Sequence, residues 1–249
     1  MNQVMQTYLN SPDLKARFLG EIAAHEAADM ILQGTYGEGE GCQWKGCAVG
    51  CSLRSLNKMH GATDIDADTD THARYPTELG WPLWLAYLED HIFEHLPVDL
   101  AKTWPRRLAE AIPVGAVVDD TVLARILRWG LADPEFGVRF ATDDAEIRGY
   151  IDAVIAVFDL EIAGTATAEQ REAAARAARA AWAAWDAWDA RAAWAAWAAW
   201  AARDAWAAWD ARAEAVNPAV KKAEAFFPAL SEFVLSVLRD LSPADAVAR

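Results

Sequence analysis

The sequence predicts an all-α fold: a multi-helix globular domain with one very long Ala/Trp-rich helix. Three observations carry that prediction. Apolar residues recur at three- and four-residue spacing in segment after segment, no segment alternates convincingly with a period of two, and the Ala-rich tract between Thr167 and Asn217 contains neither Gly nor Pro. Composition also divides the chain. All 14 glycines and all five histidines lie at or before Gly164, and residues 1–164 hold 26 acidic against 13 basic side chains, whereas the remainder is close to neutral. The expected organisation is an acidic helical domain with a Gly/Cys-rich loop over residues 1–164, a long Ala/Trp/Arg helix over 165–216, and C-terminal helices over 217–249 that pack back.

Each helix has its own start and stop signals. Ser11-Pro12 opens the first, whose inward face runs Leu14, Phe18, Ile22 and His25 and which ends near Gly34. Val49, Leu53, Leu56 and His60 share a face of the second, stopped by Gly61. Pro82 begins a third with Leu85, Leu88 and Ile92 inward, and further helices are expected at about 99–112, 120–129 and 143–162. Thr167 with Gln170 forms a capping-box pattern ahead of the long helix. A strict three-residue repeat in that helix sets Trp182, Trp185, Trp188, Trp194, Trp197, Trp200, Trp206 and Trp209 in one register with five arginines. At about 100° per residue, a three-residue step winds these side chains around the cylinder as a ridge and not as one stripe, which suits a helix contacted on several sides or an oligomerisation rod. Pro228 separates two last helices, 218–227 and 229–241.

A formal net charge of -14 over 249 residues repels phosphate backbones and anionic lipid, which argues against nucleic-acid and membrane-surface partners. The longest uncharged stretch of the Trp-rich tract, Ala192–Ala202, is far short of the roughly 20 residues that span a bilayer. Three cysteines and no secretory leader pattern point to a reduced compartment, a cytoplasm.

The chemistry-bearing residues concentrate between Gly34 and Cys51, where six glycines, Lys45, Cys42, Cys47 and Cys51 run into the second helix. Glycine lets backbone approach a ligand, and a helix start offers unpaired N–H groups. Cys47 at that start, beside Lys45, is a candidate nucleophile with a lowered pKa, and His25 its candidate base; the alternative is that Cys47 and Cys51 are small buried braces. His25 and Asp29 stand one turn apart and project toward the same loop, so a ligand site would draw on His25, Asp29, Tyr36, Lys45, Cys47, Cys51 and Glu78. No cofactor is expected. If a metal binds, it is zinc at Cys47, Cys51 and His60, although C-x4-C-x3-C is not the C-x2-C spacing of structural zinc sites. Asp64, Asp66, Asp68 and Asp70 imitate the start of a calcium loop without its glycine or closing glutamate. His91-Ile92-Phe93-Glu94-His95 matches H-x-x-E-H, in which two histidines one turn apart bind zinc and the glutamate activates water, but no third ligand is identifiable.

The pieces His25-x-x-x-Asp29, Gln33-Gly34-Thr35-Tyr36, Lys45-Gly46-Cys47-Ala48-Val49-Gly50-Cys51, and Tyr75 to Pro82 followed by Leu88-Glu89-Asp90 resemble a family of proteins carried by bacteriophages and prophages, over residues 15–130. G-C-A-V-G-C is the specific core. The family has no assigned activity, so the resemblance implies a context and no catalytic residue. It implies an accessory protein, without enzymatic activity, that binds a small ligand or a host protein, with counter-defence as its purpose. Two alternatives stand beside it: a thiol-dependent enzyme using Cys47, and a structural or homo-oligomeric protein using the Trp-rich helix.

Overall fold

The computed structural model describes residues 5–35, 37–39, 44–61, 71–186 and 217–243. Among these the chain is all-α, with no β-strand and only isolated bridges. The helices are α1 (Pro12–Ala27), α2 (Ala48–Met59), α3 (Arg74–Leu79), α4 (Leu83–His95), α5 (Val98–Ala111), α6 (Asp120–Ala132), α7 (Ala145–Ile162), α8 (Ala168–Asp186) and α9 (Asn217–Arg239). They form two compact units, one of residues 1–119 with 230–249 and the other of residues 120–229. Packing therefore divides the chain at Asp119, whereas composition shifts at Gly164.

In the first unit α2 is the central element, buried along most of its length from Ala48 to Asn57. It packs against α1 and α4, and α5 closes on α1 and α4. Trp81, fully buried in the linker between α3 and α4, is met edge-on by Tyr8 at 5.7 Å and Phe18 at 5.9 Å and at a tilt by Tyr75 at 5.7 Å. Large aromatic surfaces placed edge to face supply both area burial and orientation, which fixes where α3 ends and α4 begins. Gly80 makes that junction sterically feasible. It takes φ +66° at the C-cap of α3, and a Cβ there would lie 2.0 Å from the Gln6 carbonyl oxygen. The segment before α1 is strapped down by Thr7, whose N–H donates to the Ala116 carbonyl at 2.9 Å, and by the Tyr8 hydroxyl, which donates to the Ala109 carbonyl at 2.5 Å. The end of the chain joins this unit through Leu230, Val234, Leu235 and Leu238, all buried, and an Arg107–Glu232 ion pair of 2.6 Å.

The second unit is built on Leu131, Val138, Ile147, Ile151 and Val154, with Phe158 and Ala177 packed against them. Asp144 caps α7 by accepting from the Glu146 and Ile147 N–H groups, and Arg128–Asp159 and Arg171–Glu161 pairs tie neighbouring helices. The Thr167–Gln170 capping box forms as the sequence predicts, with reciprocal bonds of 2.8 and 3.2 Å.

Several boundaries differ from the sequence reading. α1 stops at Ala27 and not near Gly34, because Asp29 turns into the left-handed region at φ 52° and the chain then pairs with residues 45–46. α3 was not expected from the sequence; at six residues it is too short to show a periodicity. Pro228 does not separate two helices but lies inside α9, where neighbouring packing outweighs the lost backbone bond. Where the long helix is expected, α8 runs over the 19 residues Ala168–Asp186; the rest of the predicted span, with Trp188 to Trp209 of the triplet repeat, lies outside the described residues.

Candidate metal centre

The Gly/Cys-rich loop is shaped by backbone pairing. Leu32 N–H donates to the Gly46 carbonyl at 2.8 Å and Gly46 N–H to Met30 at 2.9 Å, while Glu38 and Lys45 exchange bonds of 2.8 and 2.9 Å. These bonds carry the chain to Cys47, whose own N–H donates to the Thr35 carbonyl at 2.8 Å. Cys47 is the N-cap of α2, in extended conformation, and its Sγ accepts the Gly50 N–H at 3.4 Å. The thiol thus occupies the place usually taken by a Ser or Asp oxygen.

On α4, Asp90 and Glu94 stand one turn apart and share a face. The Glu94 carboxylate accepts the Gly34 N–H at 2.8 Å, and Gln33 Nε2 donates to the carbonyls of Phe93 at 2.7 Å and Leu96 at 2.9 Å, so the loop is docked onto the end of α4. This docking brings Cys47 Sγ, an Asp90 oxygen and a Glu94 oxygen within 4.8 Å of one another, with the cysteine buried and the two acids half-buried. In a tetrahedral zinc site with Zn–S near 2.3 Å and Zn–O near 2.1 Å, ligand atoms sit about 3.5 Å apart, so side-chain shifts of about 1 Å suffice to close the set on one ion.

The electrostatics of the trio are those of mutually repelling groups. Burial, then the Asp90 and Glu94 charges, push the Cys47 thiol up to about 12, against the partial relief of the Gly50 and Val49 N–H groups. Glu94 is raised by burial and by Asp90, with its Gly34 bond opposing. The expectation of a lowered Cys47 pKa is thus reversed, since two carboxylates face the thiol at the helix start. Deeper in the same region Glu89 is fully buried and pushed up to about 8, chiefly by burial, with Tyr75 stabilising its charged form and Asp90 opposing it. Two convergent carboxylates and a thiol in a partly dry site are the arrangement a bound cation relieves.

The other sequence-derived site residues fall in different places. His25 is buried on α1 with its ring 5.9 Å from that of Trp44, and burial, then Arg54, lower it to about 4. The charges that act on it come from Arg54, Glu21 and Lys58, and those that act on Cys47 from Asp90 and Glu94, so the proposed base and nucleophile occupy different surroundings. Asp29 is exposed and holds Lys102 at 2.6 Å and Lys45 at 3.4 Å. Glu78 binds Arg74 at 2.5 Å and His60 at 3.1 Å. His60 caps the far end of α2, about 20 Å from Cys47 at 1.5 Å per residue, so it shares no ion with that thiol. Cys51 is buried, and its Sγ faces the Gly46 carbonyl at 3.5 Å. Tyr36, Cys42 and the aspartates at 64–70 lie outside the described residues. In the H-x-x-E-H segment the histidines face each other, ring centroids 4.2 Å apart, with His95 Nδ1 2.8 Å from the His91 carbonyl oxygen. Glu94 turns instead toward Cys47. Positions 90 and 94 form a ridge about 100° around α4 from that of 91 and 95, and Asp90 is the ligand candidate that motif matching missed.

No protein-family model, curated protein or solved structure matches this chain. Among the described residues no helix is long and apolar enough to cross a membrane.

Proposed function

We propose that this protein binds a divalent transition-metal ion, zinc in the first instance, at Cys47, Asp90 and Glu94. The reading narrows the small ligand expected from the sequence to a cation. The observation that carries it is the convergence of one thiol and two carboxylates within 4.8 Å from two separate helices. The donor set favours zinc over magnesium or calcium, because a thiolate suits a borderline-soft ion and hard ions prefer oxygen alone.

The charge of the set bears on what the ion does. Three anionic ligands outweigh a dication by one charge, whereas catalytic zinc sites rely largely on neutral histidines. An ion held so is a poor generator of hydroxide, and the centre suits retention of the metal and fastening of the loop to α4 more than hydrolysis. The thiol-enzyme alternative loses support, because a metal-free thiol at about 12 is almost wholly protonated at neutral pH.

The test is metal content by mass spectrometry after equilibration with zinc and gel filtration. Wild type retains one zinc per chain, and Cys47→Ser and the double variant Asp90→Asn/Glu94→Gln retain none. Full retention in both variants places the metal elsewhere, and none in wild type removes the reading.

A further inference from the structure

His72 stands next to the centre without belonging to the trio. It lies in a short 3-10 turn, Thr71–Ala73, that leads into α3, and it is buried. Its ring stacks on Tyr87 of α4 at a centroid separation of 4.4 Å and an interplanar angle of 27°. Its Nε2 lies 3.5 Å from the Asp90 Oδ2 oxygen. Tyr87 and Asp90 lie three residues apart on α4, so one helix supplies both the plate that sets the imidazole plane and the carboxylate toward which it points. A carboxylate with two free rotors has several orientations, and a donor fixed on one of its oxygens leaves the other for an ion. Ligating side chains are generally held in this way by a second hydrogen-bonded layer.

We propose that His72, held by Tyr87, is a positioning residue that orients the Asp90 carboxylate for the metal ion. The inference rests on the metal-binding reading above and adds a residue to it. His72 acts through Asp90 and does not itself ligate the ion. At 3.5 Å the Nε2–Oδ2 contact lacks hydrogen-bond geometry; a small rotation of the Asp90 carboxylate closes it to a hydrogen bond, which leaves the other oxygen to coordinate and lessens the repulsion that Asp90 exerts on Cys47 and Glu94.

The experiment is a cobalt(II) titration of the full chain, read by its near-ultraviolet thiolate-to-cobalt band and its visible ligand-field bands. His72→Ala is expected to weaken cobalt binding about ten- to a hundredfold while keeping the thiolate band and altering the ligand-field envelope. His72→Gln, which places an amide nitrogen near the position of Nε2, is expected to recover most of the loss. In an Asp90→Asn background the same His72→Ala change is expected to cost nothing further, because its effect travels through that carboxylate. Unchanged affinity in His72→Ala overturns the inference, as does an equal loss in the Asp90→Asn background. If His72→Ala fails to fold, Tyr87→Leu takes its place, with a smaller loss expected and unchanged affinity counting against the inference. If wild type itself shows no thiolate band, the metal reading fails first, and that outcome is distinct from a wild type that binds and a His72 variant that binds equally well.

Discussion

The buried His25 makes a quantitative claim about acid stability. Its ring is about 6% exposed, its Nδ1 has no hydrogen-bond partner among the described residues, and burial, then Arg54, hold its pKa near 4 against an ordinary value of 6.5. The native state therefore keeps the imidazole neutral over a range in which the unfolded chain protonates it. Stability from this group is complete above pH 6.5 and is lost as pH falls toward 4, because there the unfolded state binds more protons. Between pH 7 and 4.5 the linkage relation gives a loss of about 2 kcal/mol for this one residue. Replacing His25 by Leu fills a similar volume beside Trp44 and removes the titration. Urea unfolding followed by circular dichroism, in chelator and at several pH values, gives the stability of both proteins. The wild type should lose about 2 kcal/mol more than His25→Leu across that interval, most of it below pH 6. Parallel pH profiles would rule out a depressed native pKa, since they require His25 to titrate alike in the folded and unfolded chain.

Gly80→Ala combines a left-handed φ with a Cβ placed 2.0 Å from the Gln6 carbonyl oxygen, and thermal unfolding should show a loss above about 2 kcal/mol. Gly34→Ala has the left-handed φ of +83° but nothing within 4 Å, so its loss should stay near 1 kcal/mol. Pro228→Ala restores a backbone donor inside α9 and should raise stability by about 1 kcal/mol in urea titration. Metal-free Cys47, pushed up to about 12 from an ordinary 9.0, should carry about a thousandfold less thiolate than a free thiol and react correspondingly slowly with iodoacetamide at neutral pH.

Much of the fold was legible because helix signals are local. Ser11-Pro12, the face of Val49, Leu53 and Leu56, Pro82, and the Thr167–Gln170 box each specify an element through nearest neighbours, and each corresponds to a helix. Asp29 and Pro228 defeat a local reading because tertiary bonds and packing decide those two positions. The site was legible only in part. Cys47 stands out in sequence as a polar atom at a helix start, but its partners depend on Gly34 and Gln33 docking the loop onto α4, a long-range event with no periodic trace. Glu94 was noticed for the wrong neighbours: a motif pairs residues along the sequence, whereas the helix sorts them by angle, and Asp90 shares its face while His91 and His95 do not. The raised pKa of Cys47 is hidden in the sequence for the same reason, since nothing near it announces the two carboxylates opposite.

On metal binding, a cation replaces the Cys47 proton between Asp90 and Glu94. Zinc titration by calorimetry at pH 7, in two buffers of different ionisation enthalpy, measures stoichiometry and proton release together. A thiol held near 12 must give up its proton to bind, so one zinc per chain with at least about one proton released is expected, both abolished in Cys47→Ser although serine preserves the α2 N-cap. Saturable zinc binding without proton release, or binding unchanged in Cys47→Ser, would contradict it.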